Sequence, residues 1–236
     1  MKKALIFSII LNLIFISFFG YLIHRKGGVY YVKWKLGLES ILPDQAIGSY
    51  WYQKKTMFEI MPNIPNEIVF LGNSITDNCE WSELFNNPLV INRGIGGDIT
   101  EGVLLRLSEV TESNPEKIFL MIGINDLLAE MNTKDICTYY RLILERIKTE
   151  SPDAKLYIQS VLPVTDPIQL KNDTIVVLNQ KLKNISDEKS LTYINLFDSF
   201  IDEKGFLKKD FTNDGLHLTR KAYLIWKSLI DEFVNN

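Results

Sequence analysis

Three residues, Ser74, Asp214 and His217, could together activate a nucleophile. A serine hydroxyl is a poor nucleophile until a base takes its proton. The chain has two histidines, and because His24 lies beside an apolar N-terminal segment, His217 is the imidazole available to a folded domain. Asp214 precedes it by three residues, so its carboxylate can accept a hydrogen bond from Nδ1–H if this segment turns like the start of a helix. The spacing predicts an oriented general base.

A developing oxyanion also needs hydrogen-bond donors, and three groups have the right character. They are the backbone N–H of Ser74, a backbone N–H of the glycine run near Gly97, and the side-chain amide of Asn125. Alone, Ser74 or Asn125 can be a helix cap, and the GIGGD run can be a flexible loop or a phosphate nest. Likewise, Asp214-x-x-His217 alone can be a turn or half a metal site. Their order, each after a predicted strand, favours a nucleophilic site.

Five apolar runs predict the strands that position these residues. They are nearly continuous, as expected of strands covered on both faces. The runs are IVFLG at 68–72, LVINRG at 89–94, KIFLMIG at 117–123, KLYIQSV at 155–161 and LTYINLF at 191–197. Helices are predicted at about 99–113, 134–150, 168–188 and 219–234. The alternation predicts a doubly wound α/β sandwich with a parallel sheet, in which ligands bind beyond the carboxyl ends of the strands.

Composition narrows the classes of partner. The 236 residues are 46% hydrophobic, enough for one sizeable core, and the net charge is -3 with no concentration of Lys and Arg. Nucleic acid is therefore excluded as an expected partner. Cys79 and Cys137 lack the CxxC spacing of a zinc site, and two cysteines are too few for a disulfide scaffold. They are interpreted as semi-buried thiols.

The N-terminal segment predicts a membrane anchor. Residues 4–23 carry no charge and are flanked by Lys2 and Lys3 on one side and by Arg25 and Lys26 on the other. At ~1.5 Å per residue the run makes about 30 Å of helix, enough to cross a membrane. We expect residues 1–26 to form an uncleaved signal anchor, with the domain outside the cytoplasm. The alternatives are a buried core helix and a cleaved signal peptide, for which a shorter apolar core and a small-residue exit would be typical; cleavage would release a secreted protein.

The motifs GNSIT, GIGGD, GIND and DGLH, in this order, resemble the four blocks of the SGNH hydrolases, also called GDSL-type esterases and lipases. Within that family the chain is similar to the branch of platelet-activating-factor acetylhydrolases and bacterial acylhydrolases. The resemblance implies a three-layer α/β/α flavodoxin-like sandwich, a Ser–His–Asp triad, and no metal or organic cofactor. It places the hydrolase domain at 67–236, after a connector and N-terminal extension at 27–66.

The resemblance also implies a role for each site residue. Ser74 matches the nucleophile, while Asp214 and His217 match the orienting acid and the base. Gly97 and Asn125 match the oxyanion donors that act beside the Ser74 N–H.

The sequence departs from the family pattern at two places. The first block usually has an aspartate where this chain has Asn73, which keeps a hydrogen-bonding side chain but removes a charge. After the histidine, Lys221-Ala222-Tyr223 stands where related chains often have Gly-Tyr, which concerns the start of the last helix. Asp98 and Asp126 are interpreted as helix N-terminal residues and not as metal ligands.

The function implied by the resemblance is hydrolysis of carboxylic esters through an acyl-enzyme. We expect short acyl groups, such as O-acetyl on a glycan or a small molecule. Lysophospholipids or thioesters with longer acyl chains are the alternative within the same chemistry, although no lid segment separates the blocks. Two other classes share the architecture: a catalytically silent membrane-anchored binding module, and a flavodoxin-type FMN protein, which would not need the Asp214 and His217 pair.

Overall fold

The structure is a computed structural model that describes residues 2–25, 48–165, 168 and 170–236. The chain divides into two compact units, Met1–Gln53 and Lys54–Asn236. In the first unit, helix α1 is Lys2–Arg25, and its side chains from Leu11 to Tyr21 are exposed. Among the described residues, no helix combines the length and apolarity needed to cross a membrane. Several side chains of the anchor predicted at 4–23 lie outside the described residues, and so do residues 27–47 of the connector predicted at 27–66.

Five parallel strands form one sheet in the second unit. They are β1 Ile68–Gly72, β2 Val90–Gly94, β3 Lys117–Met121, β4 Lys155–Gln159 and β5 Thr192–Ile194. Their order across the sheet is β2-β1-β3-β4-β5. Gly72 pairs with Gly94 on one side and with Met121 on the other, so three strands end at the same level. The predicted five-stranded parallel sheet is confirmed, and its carboxyl edge is where the candidate residues lie.

Helices cover both faces of this sheet. One face presents a row of aromatic rings, because Phe70, Phe119 and Tyr157 are paired across three strands and stack with centroids 4.9 and 4.6 Å apart. Helix α4 (Trp81–Phe85) and the last helix, α11 (Arg220–Asn235), pack here, with Trp81 stacked on Phe70 at 4.1 Å. On the opposite face, α8 (Thr133–Glu150) contacts α9 (Asn172–Glu188). This gives the predicted three layers.

The remaining helical segments are short. They are α2 Ser49–Glu59, α3 Ser74–Asp77, α5 Thr100–Leu105, α6 Ser108–Thr111, α7 Ile124–Leu128, α10 Phe197–Phe200 and a 3-10 turn at Lys209–Phe211. Only residues 54–59 of α2 belong to the second unit.

Two predicted helices differ from the observed ones. The helix expected at 99–113 is divided into α5 and α6, because the fully buried Arg106 between them bonds to groups of the sheet edge instead of continuing a regular face. The helix expected at 168–188 begins at Asn172. The Asn172 side chain binds both backbone groups of Val164 and the Gly205 carbonyl, so the first residue of the helix is joined to two other segments of the chain.

Candidate active site

Ser74 lies at the start of the nucleophile turn, which we define as residues 72–77. The turn follows β1, and the side chain of Asn73 caps α3 by accepting the N–H of Ile75 at 3.0 Å. Gly72 is required by close packing: a Cβ there would lie 2.3 Å from Thr76 Oγ1 and 2.4 Å from the Met121 carbonyl oxygen. Ser74 follows the carboxyl end of β1 and is half-buried.

The acid–base loop, residues 214–217, meets this turn from a distant part of the chain. His217 Nε2 lies 3.0 Å from Ser74 Oγ, and His217 Nδ1 lies 2.6 Å from Asp214 Oδ2. The structure therefore brings together the three residues predicted as a triad, although 143 positions separate Ser74 from His217. A hydroxyl, an imidazole and a carboxylate in this series can activate a serine.

The local conformation of the acid–base loop differs from the predicted helical start. Helix α11 begins only at Arg220, and Gly215 has a φ of +93°, a left-handed conformation that favours glycine. The loop is held by Asp214, whose Oδ1 accepts the backbone N–H groups of Leu216 at 2.9 Å and His217 at 2.8 Å. One carboxylate oxygen thus shapes the loop, and the other holds the imidazole.

The charge state of Asp214 fixes the orientation of the imidazole. Burial alone would raise the pKa of this carboxyl, but hydrogen bonds from the His217 ring and from the Leu216 and His217 amides outweigh it and hold the pKa below its usual range. The carboxylate is therefore ionised at neutral pH and accepts the Nδ1 proton. Because the proton of a neutral imidazole is on Nδ1, the lone pair of Nε2 faces the Ser74 hydroxyl.

The predicted oxyanion donors lie on the glycine loop, residues 95–98, and on α7. Gly97 is exposed and has a φ of +79°, and the Asn125 side chain donates Nδ2–H to the carbonyl of Asp98 at 2.8 Å. This bond engages one of the two amide hydrogens of Asn125 and leaves the other for a ligand. Within the described part of the chain, the backbone N–H groups of Ser74 and Gly97 have no acceptor.

The glycine loop packs directly on the nucleophile turn. A Cβ on Gly94, just before the loop, would lie 2.2 Å from the backbone nitrogen of Asp77, and Ile95 N–H donates to the Gly72 carbonyl. Two of the donor groups therefore sit on backbone segments in van der Waals contact with each other.

The two aspartates next to these donors serve the framework. Asp98 accepts from Arg106 Nε at 2.8 Å, and both are fully buried. Asp126 accepts the backbone N–H of Thr100 at 3.0 Å and its hydroxyl, which ties α7 to the start of α5. Burial raises the pKa of Asp126 to about 6 despite these bonds. Both carboxylates thus accept hydrogen bonds from protein groups, which agrees with a structural role for Asp98 and Asp126.

Sequence reasoning missed several residues that support the site. Arg106 Nη2 donates to the carbonyl oxygens of Gly72 and Arg93, which are the ends of two neighbouring strands. An arginine between Val103 and Val110 on the apolar face of a predicted helix is the signal that could have found it. Asp77 carried no such signal, because a carboxylate at the end of a short turn is ordinary.

Comparison with known proteins places the chain in a family. The GDSL-like lipase/acylhydrolase family matches residues 70–225, more than half of the chain and all four motifs. The chain belongs to this family. Among relatives, the human platelet-activating factor acetylhydrolase IB subunit alpha2 is 31% identical over 169 residues, covering 66% of this chain and 71% of that protein. This membership makes the chain an ester-bond hydrolase.

Solved structures share the fold of this GDSL-like hydrolase. A GDSL-like lipase from Bacteroides thetaiotaomicron has a TM-score of 0.68 at 24% identity, covering 78% of this chain and 96% of that one. A variant of an acetyl-xylooligosaccharide esterase from Geobacillus has a TM-score of 0.61 at 17% identity, covering 74% and 97%.

Proposed function

We propose that this hydrolase cleaves carboxylic esters through an acyl-enzyme on Ser74. The observation that carries the proposal is the series Ser74 Oγ, His217 and Asp214, joined at 3.0 and 2.6 Å. Oγ attacks the ester carbonyl while Nε2 of His217 takes its proton, and His217 then protonates the leaving alcohol. A water molecule, activated in the same way, attacks the acyl-enzyme and releases the acid.

The oxyanion of each tetrahedral intermediate is assigned to three donors: the N–H of Ser74, the N–H of Gly97 and the free hydrogen of Asn125 Nδ2. The first two lack acceptors among the described residues, and the third is aligned by its partner hydrogen on the Asp98 carbonyl. Donors held in place before the reaction stabilise the developing charge without a reorganisation cost.

Hydrolysis of p-nitrophenyl acetate by the wild-type chain, Ser74→Ala and Ser82→Ala tests the mechanism. Ser82 is a matched control, because it is a half-buried serine in the first turn of α4. Turnover should be lost in Ser74→Ala and kept in Ser82→Ala, and a fluorophosphonate probe should label only chains that retain Ser74. Near-normal hydrolysis by Ser74→Ala would rule out the acyl-enzyme. A wild-type chain that the probe does not label would instead favour a silent binding module.

The proposed substrates are esters of short acyl groups, and in the first place O-acetyl groups on a glycan or a small molecule. The names of two similar proteins, an acetylhydrolase subunit and an acetyl-xylooligosaccharide esterase, support an acetyl group. The experiment is a series of p-nitrophenyl esters from acetyl to octanoyl, together with acetylated xylan and a lysophospholipid, with Ser74→Ala as the blank. Loss of kcat/KM between acetyl and octanoyl is expected; a rise would favour the lysophospholipase or thioesterase alternative.

Attachment to a membrane through residues 4–23, with the hydrolase unit outside the cytoplasm, is a further part of the proposal. Its support is the uncharged sequence and the exposed apolar side chains of α1, including Phe15, Ile16 and Phe19. Carbonate washing of membranes from cells that express the full chain should leave it in the pellet, and protease added to spheroplasts should digest the hydrolase unit. Release by carbonate would contradict the anchor, and protection from protease would contradict the orientation.

A further inference from the structure

In the proposed mechanism the Gly97 N–H points at the oxyanion, yet the space that a side chain of Gly97 would occupy is open. A Cβ on Gly97 would meet no atom within 4 Å, and its φ is +79°. Two adjacent glycines, Gly96 and Gly97, have wide backbone freedom. Steric packing therefore does not fix the orientation of the Gly97 N–H, and hydrogen bonds on either side of it must do so.

On one side of Gly97, the anchor is Asp77. Its Oδ2 accepts the N–H of Gly96 at 3.1 Å, and its Oδ1 lies 2.8 Å from Lys54 Nζ. Asp77 is the last residue of α3, the helix that begins at Ser74. The carboxylate thus links the glycine loop, the nucleophile turn and the ammonium group of Lys54, with its side chain 9% exposed.

On the other side of Gly97, a chain of charged groups holds Asp98. Asp98 accepts from Arg106, Arg106 Nη1 donates to Glu109 at 2.7 Å, and Glu109 lies 2.9 Å from Arg93 Nε. The guanidinium of Arg93 in turn lies over the ring of Phe58, 4.9 Å from its centroid. Phe58 is one helical turn after Lys54, so residues 54–59 of α2 contact both supports of the glycine loop.

We propose that Lys54 and Asp77 are positioning residues that hold the Gly97 N–H toward the oxyanion. The inference rests on the proposed function and assigns part of α2, which lies outside the four motifs, to support of the catalytic centre. Asp77 accepts the N–H of Gly96 and thereby fixes the peptide group just before the one that carries the Gly97 N–H. The ammonium of Lys54, 2.8 Å from Asp77 Oδ1, holds that carboxylate in the direction of the Gly96 N–H, so Lys54 acts through Asp77.

The test compares Lys54→Met, Asp77→Ala and the double variant, with Lys55→Met as the matched control. Lys55 is the next residue on the same helix and is also ion-paired, but to Glu59 at 3.2 Å. With p-nitrophenyl acetate, Asp77→Ala should lower kcat about tenfold, the scale of one hydrogen bond to a charged group. Lys54→Met should lower kcat about threefold. KM should stay within about twofold of the wild-type value, as expected when only transition-state binding is lost.

Two further readouts separate positioning from general stability. If Lys54 acts through Asp77, the double variant should match Asp77→Ala, because the two effects share one route. Lys54→Arg, which keeps the charge, should retain wild-type kcat. Thermal unfolding of Lys54→Met and Lys55→Met should agree within a few degrees.

Clear outcomes would overturn the inference. These are a threefold loss from Lys54→Met that persists in the Asp77→Ala background, an equal loss in Lys55→Met, or a rise in KM at unchanged kcat. If instead the wild-type chain neither hydrolyses esters nor reacts with the fluorophosphonate, the proposed function fails first. The two failures are thus distinguishable.

Discussion

Asp126 and Asp214 are both aspartates of the candidate site, but their pKa values move in opposite directions. Asp126 is fully buried, and burial raises its pKa to about 6. The Asp214 side chain is 48% exposed, and hydrogen bonds from the acid–base loop overcome the smaller effect of burial and lower its pKa. An aspartate carboxyl therefore has a raised pKa where burial dominates and a lowered pKa where hydrogen bonds dominate.

The difference extends to how each side is built. The nucleophile turn and the end of β2 are fixed by tertiary packing, because Gly72 and Gly94 sit too close to neighbouring atoms for any Cβ. In the acid–base loop, Asp214 accepts hydrogen bonds from residues of the loop itself. Gly215 is the packed residue of this loop, because a Cβ there would lie 2.2 Å from Thr165 Oγ1. We therefore expect substitutions of the closely packed glycines to change the free energy of unfolding, and substitution of the exposed Asp214 to change the rate with little effect on stability.

The largest effect should come from Asp214→Asn. The amide cannot hold the Nδ1 proton of His217 as the carboxylate does, so kcat should fall by about 10⁴, the scale of this substitution in a serine-protease triad. The free energy of unfolding should change by less than about 1 kcal/mol, because the residue is exposed. Asp210→Asn is the control, since Asp210 is an exposed, ion-paired aspartate four residues earlier. A loss of kcat under tenfold would refute the assigned role.

Asn125→Ala tests the oxyanion side of the comparison. It removes the donor that the Asp98 carbonyl aligns, so kcat for p-nitrophenyl acetate should fall by about 10²–10³. Asn184→Ala is the control, because Asn184 is an exposed asparagine of α9 that accepts a hydrogen bond from Gln180. Equal kinetics for the two variants would exclude Asn125 as an oxyanion donor.

Gly72→Ala should show how strongly the nucleophile turn depends on packing. The added Cβ would overlap Thr76 Oγ1 and the Met121 carbonyl, and the strand cannot yield, so we expect a loss of about 3 kcal/mol in the free energy of unfolding. Gly205→Ala is the control: its φ is +80°, but a Cβ there meets no atom within 4 Å. That variant should lose only about 1 kcal/mol. Urea unfolding that ranks the two in reverse order would contradict the packing argument.

The raised pKa of Asp126 predicts a distinct pH dependence. A folded-state pKa of about 6 exceeds the unfolded value of 3.8, so the folded state binds the proton more tightly. This group should therefore add stability as pH falls through 6 toward 4, and that gain should be absent above pH 6. Urea unfolding of the wild-type chain and of Asp126→Asn between pH 7 and pH 4.5 measures it. The wild type should gain on the variant as pH falls, and parallel curves would show an unperturbed carboxyl.

The sequence predicted the parts of the molecule whose causes are local. Continuous apolar runs located all five strands, and the spacing of Asp214 and His217 indicated their pairing. The same spacing predicted the wrong backbone, because a helical start and a loop closed by Asp214 Oδ1 both bring residues three apart into contact. Proximity in sequence constrains distance more than conformation.

Features that depend on distant partners could not be predicted in the same way. The break between α5 and α6 follows from the bonds of Arg106 to two strand ends, and the Lys54–Asp77 ion pair joins residues that no period relates. Hydrophobic patterning marks Arg106 as a charged residue on an apolar helix face but does not indicate its partners, and it gives no sign of the Lys54–Asp77 pair. The chemistry of the site was therefore predictable from its motifs, whereas its support was visible only in three dimensions.

Asn73→Asp should have the smallest effect and addresses the departure from the usual family motif. Asn73 is 1% exposed, and its Oδ1 caps α3 by accepting the Ile75 N–H. A carboxylate accepts the same N–H, and Asn and Asp are about equally good caps, so the free energy of unfolding should change by less than about 0.5 kcal/mol. We expect kcat to stay within about threefold of the wild-type value, because the triad does not use this position.

Urea unfolding and p-nitrophenyl acetate kinetics check both values. Asn73→Ala is the comparison variant, which removes the cap and should lose about 1 kcal/mol. A larger loss from aspartate than from alanine would show that the added charge, and not the cap, controls this position.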